Sequence, residues 1–339
     1  MALANWIDAD ESAKDMLSRV LLDRPLLLLP PLHRVPLRAG NVVEIVGPSP
    51  SAKTEVLIQA AISSILPKEW GGVHYGGLER LVIYIDLDCR FDIRRLSRSL
   101  KHRISQVQGI PFHISLKATP GNTFSFYLAK SSGESTFLNE GFLQACMRRF
   151  LYIRCYNSYE LLAVLKTMQT RLQKETEING VCAHFLMIDS IGAFYWVDRA
   201  SKSLPLDGNS RKALSLQNVV ETVVHELHQL VQAQPMLVLA TKATIMGMGA
   251  PTGDMKRTPR KWIQQDSSDS KLSNRRLGQC VYREYMPSVW QLFVTHRIFL
   301  MMSDSESEGF PVYVSQWLLP SLQVSDKFMV TDAGIFIVT

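Results

Sequence analysis

The sequence predicts an α/β fold in which a mostly parallel sheet is flanked by helices and continued by a C-terminal antiparallel extension. Three observations lead there. An apolar run, Val42 to Val46, passes through a glycine-opened loop into a helical pattern from Glu55 to Leu66. Bounded apolar runs then alternate with helix-period segments as far as Thr241. After Val294, strand-like runs follow one another with no helix between them.

The loop is Gly47-Pro48-Ser49-Pro50-Ser51-Ala52-Lys53-Thr54. Its layout is that of a phosphate-binding P-loop, G-x-x-x-x-G-K-[ST], with Ala52 where the second glycine belongs. Such loops hold phosphates with backbone N–H groups converging at a helix N-terminus, where the macrodipole is positive. Lys53 is placed to reach the β/γ-phosphates of ATP, and the Thr54 hydroxyl to bind Mg²⁺. Two residues oppose that use. Pro50 has no N–H to donate, and Ala52 adds a Cβ where the backbone passes close to the ligand or takes an unusual φ. A hydrogen bond to a charged group contributes roughly 1.5–3 kcal/mol, and a strained backbone position costs about 1–3 kcal/mol. Together they weaken nucleotide binding by roughly 10² to 10⁴-fold. The expected site is degenerate.

Taken in order, residues 10–22 fit a short helix with Met16, Val20 and Leu21 on one side, stopped by Pro25. A Pro/Leu lead-in runs to Gly40, so residues 1–40 precede a core spanning 41–339. Leu81 to Asp88 is β-branched and continuous, as a buried parallel strand is. Asp92 to Val107 is an amphipathic helix, with Ile93, Leu96, Leu100, Ile104 and Val107 on one stripe and Arg94, Arg98 and Lys101 opposite. That basic face suits phosphate, an acidic partner or plain solvent. Residues 108–143 lose periodicity and read as a mobile insertion. Strands follow at Arg149–Cys155, Ala183–Asp189 and Pro235–Thr241, with helices at Tyr156–Ile178 (capped by Asn157 or Ser158) and Arg211–Ala233. Residues 247–280 are irregular and basic, and Val294–Met302, Val312–Trp317 and Phe328–Val338 close the chain as antiparallel strands. There are no internal repeats.

Composition sets the outer limits. The 339 residues suffice for one large domain or two. A net charge of +6 permits a polyanionic partner without requiring one. The five cysteines include no C-x-x-C pair and read as reduced core residues of an intracellular protein. No signal-peptide pattern opens the chain, and no apolar run approaches the roughly 20 residues needed to span a bilayer. A membrane role is not expected.

Further along, Phe185-Leu186-Met187-Ile188-Asp189-Ser190 is an apolar strand ending in a carboxylate. At the carboxyl edge of a parallel sheet, Asp189 is placed to hold Mg²⁺ directly or through water. Asp88 ends the strand after the P-loop helix, where one class of ATPases has a Glu that orients the attacking water. Aspartate is one methylene shorter, so hydrolysis is expected to be attenuated or absent; a helix-capping Asp fits equally. Thr241 stands where a polar residue senses the γ-phosphate. After it come Lys256, Arg257, Arg260, Lys261, Arg275 and Arg276, a basic set that permits DNA contact, though a solvated loop accounts for it as well. His225 and His228 lie at i, i+3 on a helix without further ligands, so surface or core roles are expected. Tyr195-Trp196 reads as packing.

Together, Gly47–Thr54, Ile85-Asp86-Leu87-Asp88, Ile188-Asp189-Ser190 with Ala193-Phe194-Tyr195-Trp196, and Ala240-Thr241 resemble the RecA-type ATPase core of the eukaryotic recombinase paralogues. Ile65-Leu66-Pro67-Lys68, Phe91-Asp92-Ile93-Arg94-Arg95-Leu96 and His296-Arg297-Ile298-Phe299 resemble most of all the X-ray-repair cross-complementing group 2 type. The likeness spans roughly residues 40–105, 148–245 and 285–302. It implies a nuclear subunit of a paralogue complex that assists the main strand-exchange recombinase in homologous-recombination repair and in meiosis, on single-stranded or branched DNA. Members of this type lack the DNA-binding N-terminal domain of full recombinases, and about forty residues precede the core here. Recombinases polymerise through a Phe-x-x-Ala segment upstream of the core. No phenylalanine precedes Phe91, which implies a terminal subunit joined on one side to other paralogues. The alternative is an active DNA-dependent ATPase using Lys53, Thr54, Asp189 and Asp88. A small-molecule kinase is disfavoured, for no acceptor-substrate lid is evident.

Overall fold

Six apolar runs become parallel strands in the computed structural model, which describes residues 29–108, 140–179, 183–200, 216–246, 282–307 and 310–338. The main strands are β1 (Val42–Gly47), β4 (Leu81–Asp86), β5 (Phe150–Arg154), β6 (Ala183–Asp189), β7 (Leu237–Ala243), β10 (His296–Ser307), β11 (Phe310–Leu319), β12 (Ser321–Thr331) and β13 (Gly334–Val338). Two short two-stranded antiparallel sheets stand apart: β2–β3 (Glu69–Trp70, Val73–His74) and β8–β9 (Ile245–Met246, Tyr282–Arg283). The nine main strands form one sheet in the order β5-β4-β6-β7-β1-β10-β11-β12-β13. From β5 to β10 neighbours run parallel, and from β10 to β13 antiparallel. The expected α/β architecture, with its antiparallel extension, is what folds.

Every residue of β1 is buried, which is why that strand reads as a continuous apolar run rather than an alternating one. Helices cover both faces. On one side lie α1 (Lys53–Ile65), α2 (Ile93–Val107) and α3 (Glu140–Met147), with Leu57, Ile62, Leu96, Leu100 and Phe142 in the core. On the other lie α4 (Ser158–Asn179), α6 (Leu216–Ala233) and α7 (Ser288–Phe293), with Leu165, Leu227 and Trp290 inside; the short α5 (Tyr195–Ala200) caps the carboxyl edge. Each such side chain contributes about 1.5–3 kcal/mol by leaving water. Among the described residues no helix is long and apolar enough to cross a membrane.

The lead-in is stitched to this core. Leu32 and Leu37 are fully buried, in the same apolar cluster as Leu57 and Ile62 of α1. Arg34 grips Asp326 on β12 with two parallel bonds, Nε to Oδ2 at 2.9 Å and Nη2 to Oδ1 at 2.5 Å. That guanidinium holds the Asp326 carboxyl below its usual range.

Several elements depart from expectation. The stretch 328–338 is two strands, because Asp332-Ala333 turns the chain back after β12. The helix α3 starts inside the stretch read as an insertion, and Phe142 stacks there on Trp70 and Tyr75. Ile93 and Val107 are exposed, so the buried stripe of α2 is only Leu96, Leu100 and Ile104. Asn157, not Ser158, caps α4: its Oδ1 accepts from the Glu160 N–H at 2.9 Å while Glu160 reaches back to the Tyr156 N–H. The helix expected at 10–22, most of the 108–143 insertion and the 247–280 loop lie outside the described residues.

At the centre of the sheet a charge cluster is buried. Glu44 Oε1, inside β1, lies 2.8 Å from Lys242 Nζ on β7, and Oε2 lies 2.5 Å from Arg297 Nε on β10. Trp290 Nε1 donates to Glu44 at 2.7 Å, and Lys242 also bonds Glu284 at 2.6 and 2.8 Å. Two acids and two bases balance, with three adjacent strands tied at one level. Removing one partner of a buried pair costs about 3–5 kcal/mol. Lys242→Met is accordingly expected to lose stability of that order in urea denaturation; a loss below about 1 kcal/mol would show that the cluster is not holding the strands.

Candidate functional site

The β1 strand delivers Gly47 to the carboxyl edge beside β10. A Cβ there would fall 2.1 Å from the Leu300 carbonyl oxygen, so the first loop glycine is required by close packing. The loop then climbs through Pro48, Ser49, Pro50 and Ser51 to Ala52, which precedes the first residue of α1. Ala52 adopts φ 60°, ψ 16°, the left-handed conformation that a glycine takes freely. The methyl group is tolerated by accepting that strain.

Lys53 does not point away from its own loop. Its ammonium donates to the carbonyls of Gly47 at 2.9 Å and Pro48 at 2.7 Å, and to Ser51 Oγ at 2.9 Å. An ammonium has three donors, and here all three are used. Burial pulls the Lys53 pKa down to about 8, although the Asp189 charge opposes the fall.

Next to it the expected cation site converges. Asp189, only 2 % exposed at the end of β6, accepts from Thr54 Oγ1 at 2.8 Å and from Tyr84 OH at 2.9 Å through Oδ2. Its Oδ1 accepts from Thr241 Oγ1. Burial and the Asp189 charge push the Tyr84 phenol well above its ordinary pKa, so it stays a donor. The structure thus brings Thr54, Asp189 and Thr241 together. Asp88 stands alongside, its carboxyl raised by burial and by Asp189, and it pairs with Arg90 at 3.4 Å. One buried oxygen each of Asp86 and Asp88 has no partner among the described residues. Lys256, Arg257, Arg260, Lys261, Arg275 and Arg276 lie outside the described residues.

Three partners went unforeseen. Tyr84 sits mid-strand with no motif around it, and only the topology that sets β4 beside β6 reveals its reach. Asp86 is fully buried, accepting from Tyr152 OH at 2.9 Å. Glu44 did carry a signal, a lone carboxylate within Val42-Val43-Glu44-Ile45-Val46, where an unpaired charge could not stay. His225 and His228 are exposed and bond glutamines one turn on. Among the described residues no group of three His, Cys, Asp or Glu gathers as a metal cluster. Tyr195 packs against Tyr285, whereas Trp196 is half-exposed.

The donor set suits half of an ATP–magnesium complex. The oxygens of Thr54 and Asp189 are of the type a hard cation takes. The phosphate cradle does not fit in the usual way, because Pro50 lacks an N–H and Lys53 must first give up its three bonds to the loop.

No family model matches the chain. It is 49 % identical over 334 residues to a protein of Arabidopsis thaliana called DNA repair protein XRCC2 homolog, covering 97 % of this chain and 88 % of that one. It is 27 % identical over 298 residues to the DNA repair protein XRCC2 of Mus musculus, covering 87 % and 84 % respectively.

Two outcomes test the loop. Relief of the left-handed alanine, offset by the unfolded-state entropy of glycine, should make Ala52→Gly more stable by about 0.5–1 kcal/mol in chemical denaturation; a destabilised variant would mean that the methyl packs favourably. For Lys53, the folded pKa lies below the ordinary 10.5, so between about pH 8 and 10.5 the unfolded chain binds more protons. Wild type should therefore gain stability relative to Lys53→Met as pH rises through that window. A pH-independent difference would place the ammonium in water.

Proposed function

The chain belongs to the XRCC2 family of DNA repair proteins, and from that premise we propose that it serves DNA repair as a docking subunit rather than a motor. It joins other recombinase paralogues in a hetero-oligomeric complex, as a terminal subunit, and assists the main strand-exchange recombinase in homologous recombination at double-strand breaks and in meiosis. Its place of work is the nucleus, and single-stranded or branched DNA meets it through the basic stretch at 256–276. ATP and Mg²⁺ are bound weakly and turned over slowly or not at all.

One observation carries the non-motor role: the Lys53 ammonium is saturated by Gly47, Pro48 and Ser51 of its own loop. A phosphate competing for it must break three hydrogen bonds, and it meets a loop short of one amide. The left-handed Ala52 agrees, since the loop keeps the P-loop path while losing the residue suited to it. The sheet and its helices survive as a rigid body able to present surfaces to neighbours.

A second function, a DNA-dependent ATPase, is favoured by the convergence of Thr54, Tyr84 and Thr241 on Asp189, which preserves the magnesium side. If Thr54 and Asp189 hold the cation, it supplies charge neutralisation for a triphosphate; Asp88, tied to Arg90, is poorly free to orient water. The deciding test is complementation with Lys53→Ala, which is expected to restore resistance to a DNA crosslinker to within about twofold of wild type and to capture the same paralogues from nuclear extract. A hypersensitive Lys53→Ala line, with micromolar ATP affinity by calorimetry in the wild type, would transfer the conclusion to the ATPase.

A further inference from the structure

The α2 helix carries a one-sided charge. Its fifteen residues include Arg94, Arg95, Arg98, Lys101, His102 and Arg103, and no aspartate or glutamate. Arg95 pairs with Glu55 at 2.5 Å, and Arg103 donates to the Ala333 carbonyl at 2.7 Å. At about 100° per residue, Arg94, Arg98 and Lys101 fall on one stripe, opposite the buried Leu96, Leu100 and Ile104. Arg94 and Arg98 are exposed and Lys101 is half-buried. One turn before Arg94 in the chain stands Arg90, 65 % exposed, at the mouth of the P-loop.

This arrangement works against the helix. Like charges at i, i+4 (Arg94 and Arg98) and i, i+3 (Arg98 and Lys101) repel. Arg94 and Arg95 lie in the first turn, where the macrodipole disfavours cations. A face meant only for water gains by mixing signs, and α2 supplies no acid of its own to do so. A protein-binding face would need apolar or aromatic anchors among its charges. Beside its cations the stripe offers only Ser97 and His102, and α2 has no Phe, Tyr or Trp. A rise of 1.5 Å per residue spreads the three cations over roughly 10 Å, the length in which one strand of duplex DNA carries about three phosphates.

We infer that the Arg94–Arg98–Lys101 stripe of α2 is a docking surface for the phosphate backbone of DNA, separate from the basic stretch at 256–276. It deepens the DNA-repair role proposed above and rests on it. With no aromatic to stack a base, the contact is positional and independent of sequence.

The test is a salt titration. The full chain is mixed with a fluorescent duplex or single strand, and affinity is followed by anisotropy from about 0.05 to 0.3 M salt. The triple variant Arg94→Gln, Arg98→Gln, Lys101→Gln is expected to lower the slope of log K against log salt by about 2–3 and to weaken binding at least tenfold at about 0.1 M. Arg94→Lys with Arg98→Lys keeps the charge and is expected to keep the slope, which separates charge from misfolding; thermal melts check both variants. An unchanged slope in the glutamine variant, or no DNA binding by the wild type, overturns the proposal. So does loss of polyglutamate binding in that variant with DNA binding intact, which would assign the stripe to an acidic protein. Capture of paralogues by the same variant keeps the two inferences apart: intact capture with an unchanged slope removes the DNA surface and leaves the docking role standing.

Discussion

The fold depends on how one buried carboxyl side chain is kept supplied with partners out of water. Asp189 is nearly inaccessible, and an isolated buried carboxylate is too costly to maintain. Three hydroxyls, from α1, β4 and β7, solve that problem by converging on its two oxygens. The solution dictates geometry well beyond the carboxylate. Thr54 must begin α1 within reach of β6, which fixes where the loop delivers the helix, and Thr241 must end its inward alternation at that level. Thr54 and Asp189 are also the residues that would hold a magnesium ion, so what preserves the fold also preserves the outline of that site.

The Glu44 cluster makes a comparable demand one layer below. The P-loop strand is locked to β7 and β10 by charges that have no solvent to turn to. Glu284, whose carboxyl the Lys242 ammonium holds below its ordinary value against the effect of burial, anchors the chain directly after β9. Next to it the Thr244 N–H donates to the Gly47 carbonyl at 3.1 Å. The base of the basic stretch and the root of the P-loop therefore share one small patch of backbone.

Much of this was legible in the residues. Continuous apolar runs announced parallel strands because burial on both faces leaves no room for alternation, and Asp189 and Thr54 announced themselves by position. What stayed hidden was cross-chain. Nothing in Leu81–Asp86 marks Tyr84 as a partner of Asp189 until strand order sets β4 against β6. The self-binding of Lys53 could not be read either, because the motif names the residue but not the rotamer. The closing strands were under-counted for a simpler reason: the turn at Asp332-Ala333 is only two residues long, so the end of β12 and the whole of β13 read as one strand.

The neighbours of β1 also say something about how the chain comes to be folded. Glu44 meets Ala240 on one side and Arg297 on the other, the latter 253 positions away. The strand bearing the P-loop therefore waits with one open edge until a strand 253 positions further along the chain has been made. Contacts of such long sequence separation are slow to form and leave unpaired edges at risk of aggregation. The motif-bearing strand thus depends for its pairing on segments far downstream of the motif itself.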